Sequence, residues 1–144
     1  MEKIGYRSLR VWARARDLAI EVYRESAAGQ LRKDRSLSDQ MRRSAISIAS
    51  NIAEGSERGS NRDTVRFLFI ARGSVAELST QCEIAQAVGL LGDASADRWI
   101  GECQEIMRIL MRLIERRSPE QRDSCHLPPA TRHLASTPPP PVRF

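Results

Sequence analysis

Apolar residues recur along this chain at steps of three and four, in four separate runs. In the first run Leu9, Trp12, Ala15, Ala19 and Val22 share one stripe, widened by Val11, Leu18 and Tyr23. Arg10, Arg14, Asp17, Glu21, Arg24 and Glu25 take the opposite side. That period belongs to an amphipathic helix, not to the alternation of a strand. It predicts a first helix from a Ser8 N-cap to about Ala28, with Tyr6 as a staple ahead of it and Gly29 in a C′ role behind it. In the second run Leu37, Met41, Ala45, Ile48 and Ile52 align, opposite Ser36, Gln40, Arg43, Ser47, Ser50 and Glu54. Ser36 or Ser38 is the expected cap and Gly55 the expected end. Flanking alanines and serines let a neighbouring helix approach closely. The third run starts at Ser60 or Asn61 and carries Val65, Leu68, Ala71, Val75, Leu78, Cys82, Ala85 and Val88 before Gly89 stops it. Phe67, Phe69 and Ile70 lie off its centre, more apolar surface than one core-facing stripe needs. Either this helix is central or one side meets another molecule. The fourth, capped by Asp93 or Ser95, reaches about Arg117, with Trp99, Cys103, Ile106, Leu110 and Leu113 interleaved with Ile100, Met107 and Ile114.

Four helices of roughly twenty residues joined by short linkers predict an all-α, antiparallel up-down-up-down four-helix bundle over residues 1–117. From Ser118 the periodicity stops. Pro119, Pro128, Pro129 and the run Pro138 to Pro141 predict a disordered, proline-rich C-terminal tail over residues 118–144. Only 5% of the 144 residues are aromatic, so the core must come from Leu, Ile, Val, Ala and Met.

The chemistry this chain can perform is narrowed by what the bundle lacks. Both histidines, His126 and His133, fall in the tail. The bundle therefore has no histidine for a Ser-His-Asp or Cys-His arrangement or for a di-metal site built on Glu-x-x-His. Cys82, Cys103 and Cys125 are widely spaced, with no Cys-x-x-Cys pair, which argues against a disulfide framework and against zinc. Cys82 and Cys103 sit on apolar stripes and read as buried thiols in a reducing, cytoplasmic location. No leader pattern or bilayer-length apolar run is present, so no membrane partner is expected. The glycines Gly55 and Gly59 lack the lysine and Ser/Thr of a phosphate-binding loop. Glu54 and Glu77, the acids nearest the apolar stripes, read as surface or helix-end ion pairs, and Asn51 as a structural amide bonded to a carbonyl of a neighbouring helix. We expect no catalytic residue, metal or cofactor.

What remains is a basic surface. The net charge is +5, and Lys3 and Lys33 are the only lysines, so the excess is arginine, the residue suited to bidentate phosphate recognition. Arg58, Arg62 and Arg66 recur every four residues. On one continuous helix they form a row with steps of about 6 Å, compatible with phosphates along one strand. Arg42, Arg43 and Arg72 complete the candidate nucleic-acid contacts. Aromatic residues do not interleave with them, so base stacking on single strands is not supported and recognition of backbone and shape in RNA or DNA is. The competing reading is a solvated arginine face, with Glu57, Asp63 and Glu77 as local partners, on a protein-interaction scaffold.

Arg42-Arg43-Ser44-Ala45-Ile46-Ser47-Ile48 followed by Ser50-Asn51-Ile52-Ala53-Glu54-Gly55 resembles the signature of the four-helix-bundle proteins of bacterial 23S ribosomal RNA intervening sequences. These are similar in turn to the accessory variability determinant of diversity-generating retroelements. Further matches are Tyr6-Arg-Ser-Leu-Arg-Val-Trp12, Ala15 with Asp17-Leu18-Ala19, Leu37-x-x-Gln40, and Phe67-Leu68-x-Ile70-Ala71-x-Gly73-Ser74-x-x-Glu77-Leu78. They extend over residues 6–91 and more loosely through the fourth helix, while the tail has no counterpart. Ala49 stands where that family often has proline. The resemblance implies a left-handed bundle that assembles into a barrel-like homopentamer. It further implies a basic surface for RNA and, in the retroelement branch, a reverse transcriptase partner that the protein assists without catalysis of its own.

Overall fold

Each of the four apolar stripes becomes one helix. A computed structural model describes residues 5–118. It places α1 at Arg10–Ala28, α2 at Arg35–Ser56, α3 at Asn61–Ala87 and α4 at Asp93–Arg117, with short 3-10 turns at Gly5–Ser8 and Gln30–Lys33. The tail expected from residue 119 on, with its prolines, His126, His133 and Cys125, lies outside the described residues.

The helix starts differ from expectation at three of four places. Ser8 does not cap α1; its hydroxyl donates to the Gly5 carbonyl at 2.7 Å inside the preceding turn. α2 is capped by Asp34, whose Oδ1 accepts from the Leu37 N–H at 2.9 Å. A carboxylate there also meets the positive end of the helix. Ser38, one of the expected caps, is instead buried and donates to the Leu31 carbonyl at 2.5 Å. α4 begins behind Gly92 with no side-chain cap, and Asp93 in its first turn accepts from Gln86 at 3.0 Å. Ser60 caps α3 as expected, accepting from the Asp63 N–H at 3.2 Å. The α3 stop also matches. Gly89 takes φ +76°, a backbone region costly for a side chain, and the Leu90 N–H returns to the Ala85 carbonyl at 2.8 Å. Gly29, by contrast, closes α1 in an extended conformation at φ −86°.

The helices form a ring in chain order, and their paired residues show each neighbour running opposite to the last. Between α2 and α3, Ser44 Oγ donates to Glu77 at 3.3 Å and the Ser47 and Ser74 hydroxyls meet at 2.8 Å. One number rises as the other falls. The same holds for Tyr23 of α1 with Arg42 of α2, and for Tyr6 in the turn ahead of α1 with Glu57 just past the end of α2. Across the seam between α1 and α4, Arg14 forks onto Glu102 at 2.8 and 3.1 Å, and Glu21 accepts from both Arg98 and Trp99. α3 and α4 turn back on each other where Gln86 meets Asp93.

Inside the ring lie Val11, Ala15, Leu18 and Val22 of α1, Met41, Ala45, Ile48 and Ile52 of α2, Leu68, Ala71, Val75, Leu78, Cys82 and Ala85 of α3, and Ala96, Trp99, Cys103, Ile106, Leu110 and Ile114 of α4. The predicted stripes supply most of this core, but on α1 its centre shifts to Val11 and Leu18, leaving Leu9, Trp12 and Ala19 half-buried and Tyr23 exposed. Leu37, Val65 and Leu113 are only half-buried, and Ala96 joins the core. Val88 is 61% exposed, because α3 has already ended and its capping turn faces outward. Leu31, in a linker that shows no period, is fully buried. At Gly55 the backbone of α2 packs tightly against α3. A Cβ there would stand 3.0 Å from Phe67 Cβ and 3.2 Å from the Thr64 carbonyl oxygen.

Burial raises both core thiols. Cys82 is pushed from 9.0 to about 12 by desolvation, with Glu83 adding to it. Cys103 is pushed to about 12 by desolvation, then by Cys82 and Glu102. The unfolded chain therefore gives up these protons at lower pH than the folded one. Stability from this source is complete below about pH 9 and is lost as pH rises towards 12. Denaturant midpoints should fall across that window, and Cys82→Ala/Cys103→Ala should flatten the fall. An identical alkaline slope in the double variant would assign it to other groups. No described helix is long and apolar enough to cross a membrane.

Candidate nucleic-acid interface

The six candidate arginines do not form one row. Helix α2 ends at Ser56 and α3 starts at Asn61, so the continuous helix that would align Arg58 with Arg62 and Arg66 is absent. Arg58 lies in the connection. It pairs back onto Glu54, four residues earlier, and its guanidinium stacks over the Phe67 ring at 4.8 Å. Arg62 and Arg66 remain one helical turn apart on α3. Both are exposed, and neither makes an ion pair among the described residues.

Arg42 and Arg43, adjacent in sequence, turn to different grooves because successive helix positions differ by about 100°. Arg43 lines a shallow depression of about 400 Å³ between α2 and α3, with Gln40, Ser44, Ser47, Ile70, Gly73, Ser74 and Glu77. Arg62, Arg66, Ile70, Gly73 and Glu77 follow at steps of four, four, three and four, so Arg62 and Arg66 share the face of α3 that borders this depression without lining it. Its floor is polar. Asn51 continues it along α2, though its amide donates to the Ser47 carbonyl of its own helix at 2.8 Å, not to a neighbouring helix. Glu77, a candidate partner for the arginines, accepts from Ser44.

Arg42 faces the other way. It lies over the Tyr23 ring of α1 at 5.2 Å, pairs with Asp39 at 3.4 Å, and lines a notch of about 220 Å³ together with Arg32 and Arg35. Those two arginines were missed in the sequence, where they read as part of a charged linker with no period; α2 begins at Arg35 and carries it to the side of Arg42, and the 3-10 turn brings Arg32 to both. Arg72 is exposed and stacks over Phe69 at 5.4 Å. Among the described residues no group of three or more His, Cys, Asp or Glu is placed to hold a metal ion.

The outer side of α3 is apolar as well as basic. Phe69, Ile70, Ile84 and Val88 are each at least 39% exposed. Phe69 and Ile70 belong to the surplus seen in the sequence, whose third member, Phe67, is half-buried; Ile84 and Val88 add to the exposed set, and this chain alone does not cover them.

A family model described as 23S rRNA-intervening sequence protein matches residues 7–112. Among solved structures, the chain is similar to the crystal structure of a protein of unknown function from the S23 ribosomal protein family of Bacteroides thetaiotaomicron. The two are 21% identical with a TM-score of 0.67, over 73% of this chain and 98% of that one. Identity at that level speaks for a shared fold. No significant match is found among curated proteins.

Proposed function

Because the chain belongs to the 23S rRNA-intervening sequence protein family, we propose that it is a non-enzymatic, self-associating protein that binds structured nucleic acid, RNA above all, through the α2–α3 face. The observation that supports this reading is the pair Arg62 and Arg66. They are exposed, one turn apart and free of carboxylate partners among the described residues, on the same face of α3 that borders the depression lined by Arg43. Guanidiniums without internal partners are the ones available to phosphates. Arg58, Arg42 and Arg72 contribute charge from side chains already stacked or paired.

In Arg62→Glu/Arg66→Glu, affinity for a folded RNA is expected to drop at least about tenfold at moderate salt. The slope of log affinity against log salt should shrink by about two phosphates' worth. Sedimentation should show the same assembly as the wild type. An unchanged slope would favour the second reading, a protein-interaction scaffold, which draws its support from the exposed Phe69, Ile70, Ile84 and Val88 of α3.

A further inference from the structure

The notch at the α1–α2 end is a second basic site, separate from the α2–α3 face. Arg32 comes from the 3-10 turn, Arg35 opens α2, and Arg42 follows two turns later on the same side of the helix. All three line one depression. Among the described residues Asp39 is the only carboxylate lining it, so the lining carries a net positive charge of two. Asp39 does not satisfy Arg42. It reaches only Nη1, at a long 3.4 Å, while Arg42 Nε is buried and has no partner among the described residues. A buried donor on a charged group is costly to leave unmade.

The hydroxyls nearby are already engaged. Ser26 donates to the Val22 carbonyl and Ser38 to the Leu31 carbonyl, both at 2.5 Å. The guanidiniums of Arg32 and Arg35, which make no ion pair among the described residues, are therefore the free donors, with Arg42 held beside them over Tyr23 and only weakly paired. What they need is a group made only of acceptors. At about 220 Å³ the notch falls below the ~300 Å³ at which pockets begin to enclose drug-sized molecules, so it suits an ion-sized group and not a base or sugar. A tetrahedral oxyanion meets guanidinium forks from several directions and balances two positive charges.

We propose that this notch binds one phosphate group, with Arg32, Arg35 and Arg42 as its donors. The proposal rests on the nucleic-acid reading only for one of the sources that group could have.

The test is titration of the full chain with inorganic phosphate, followed by the Arg42 Nε–H resonance and by thermal unfolding, against chloride at matched ionic strength. Saturable shifts in both, at least tenfold weaker in Arg32→Gln/Arg35→Gln, are the expected result. That variant should melt like the wild type in chloride, since both side chains are exposed. An equal response to chloride, or an unaltered titration in the variant, overturns the proposal. Competition then separates the sources. Displacement of phosphate by a 5′-phosphorylated oligoribonucleotide alone assigns a terminal phosphate, displacement by its 5′-hydroxyl twin as well assigns the backbone, and displacement by neither assigns the free ion. Retained phosphate binding beside failed RNA binding would remove the proposed function and leave the notch standing.

Discussion

Trp99→Ala is expected to destabilise the bundle by about 3–5 kcal/mol, a large part of the 5–15 kcal/mol typical of a domain. The indole is 1% exposed in the core of α4, facing α1. Two losses compete in this substitution. One is volume, because truncation leaves a cavity that helices fixed by short connections cannot close. The other is the bond from Trp99 Nε1 to Glu21 at 2.9 Å. Glu21 keeps its two bonds from Arg98, at 2.8 and 3.1 Å, so its carboxylate is not orphaned. The cavity therefore dominates. Trp99→Phe, which keeps most of the volume and loses the bond, should cost only about 1–2 kcal/mol. Urea unfolding of both variants checks this. Equal losses would mean that the bond across the seam, not the filled core, is what Trp99 supplies.

Leu31→Ala should cost about 2–5 kcal/mol, although the residue belongs to a four-residue turn. Its side chain is fully buried. Its carbonyl accepts from Ser38, so the turn is pinned from inside α2 and cannot sink to fill the space left behind. Exposed Arg32 and Lys33 beside it are the internal comparison, expected within about ±0.5 kcal/mol on truncation. If Leu31→Ala unfolded at the same urea concentration as Lys33→Ala, the corner between α1 and α2 would lie outside the cooperative core.

These two residues also show what the sequence made legible. Trp99 was plain, because it lies on a stripe with Cys103, Ile106 and Leu110, and a helix with one buried face writes that face into its spacing. Leu31 was hidden, because a single apolar residue among Gln30, Arg32 and Lys33 has no period to belong to. The caps failed for a related reason. Ser36, Ser38 and Asp34 are all competent acceptors within five residues, and position relative to the first turn decides among them, not residue type. The arginines divide the same way. Arg62 and Arg66 stayed neighbours because they share a helix. Arg58 fell away because a four-residue spacing means adjacency only where the helix is unbroken, and here α2 ends first. Arg35 and Arg42 stand seven residues apart on one face of α2, but Arg32 joins them through a turn whose direction no local pattern encodes.

The ring order of the helices has a kinetic consequence. Three of the four interfaces join helices adjacent in the chain, so most pairing needs only short loops to close, the condition for rapid folding. The seam between α1 and α4 is the exception and the sparsest of the four. It brings Arg14 to Glu102 and Glu21 to Arg98 across a separation of 88 and 77 residues. Closure entropy grows only by about 0.6 kcal/mol per doubling of loop length, so the seam costs little at equilibrium. Its cost falls on order: the earlier hairpins shorten the effective loop before it closes. Substitutions at Arg14 and Glu102 are therefore expected to speed unfolding more than they slow folding, which stopped-flow rates in urea would check.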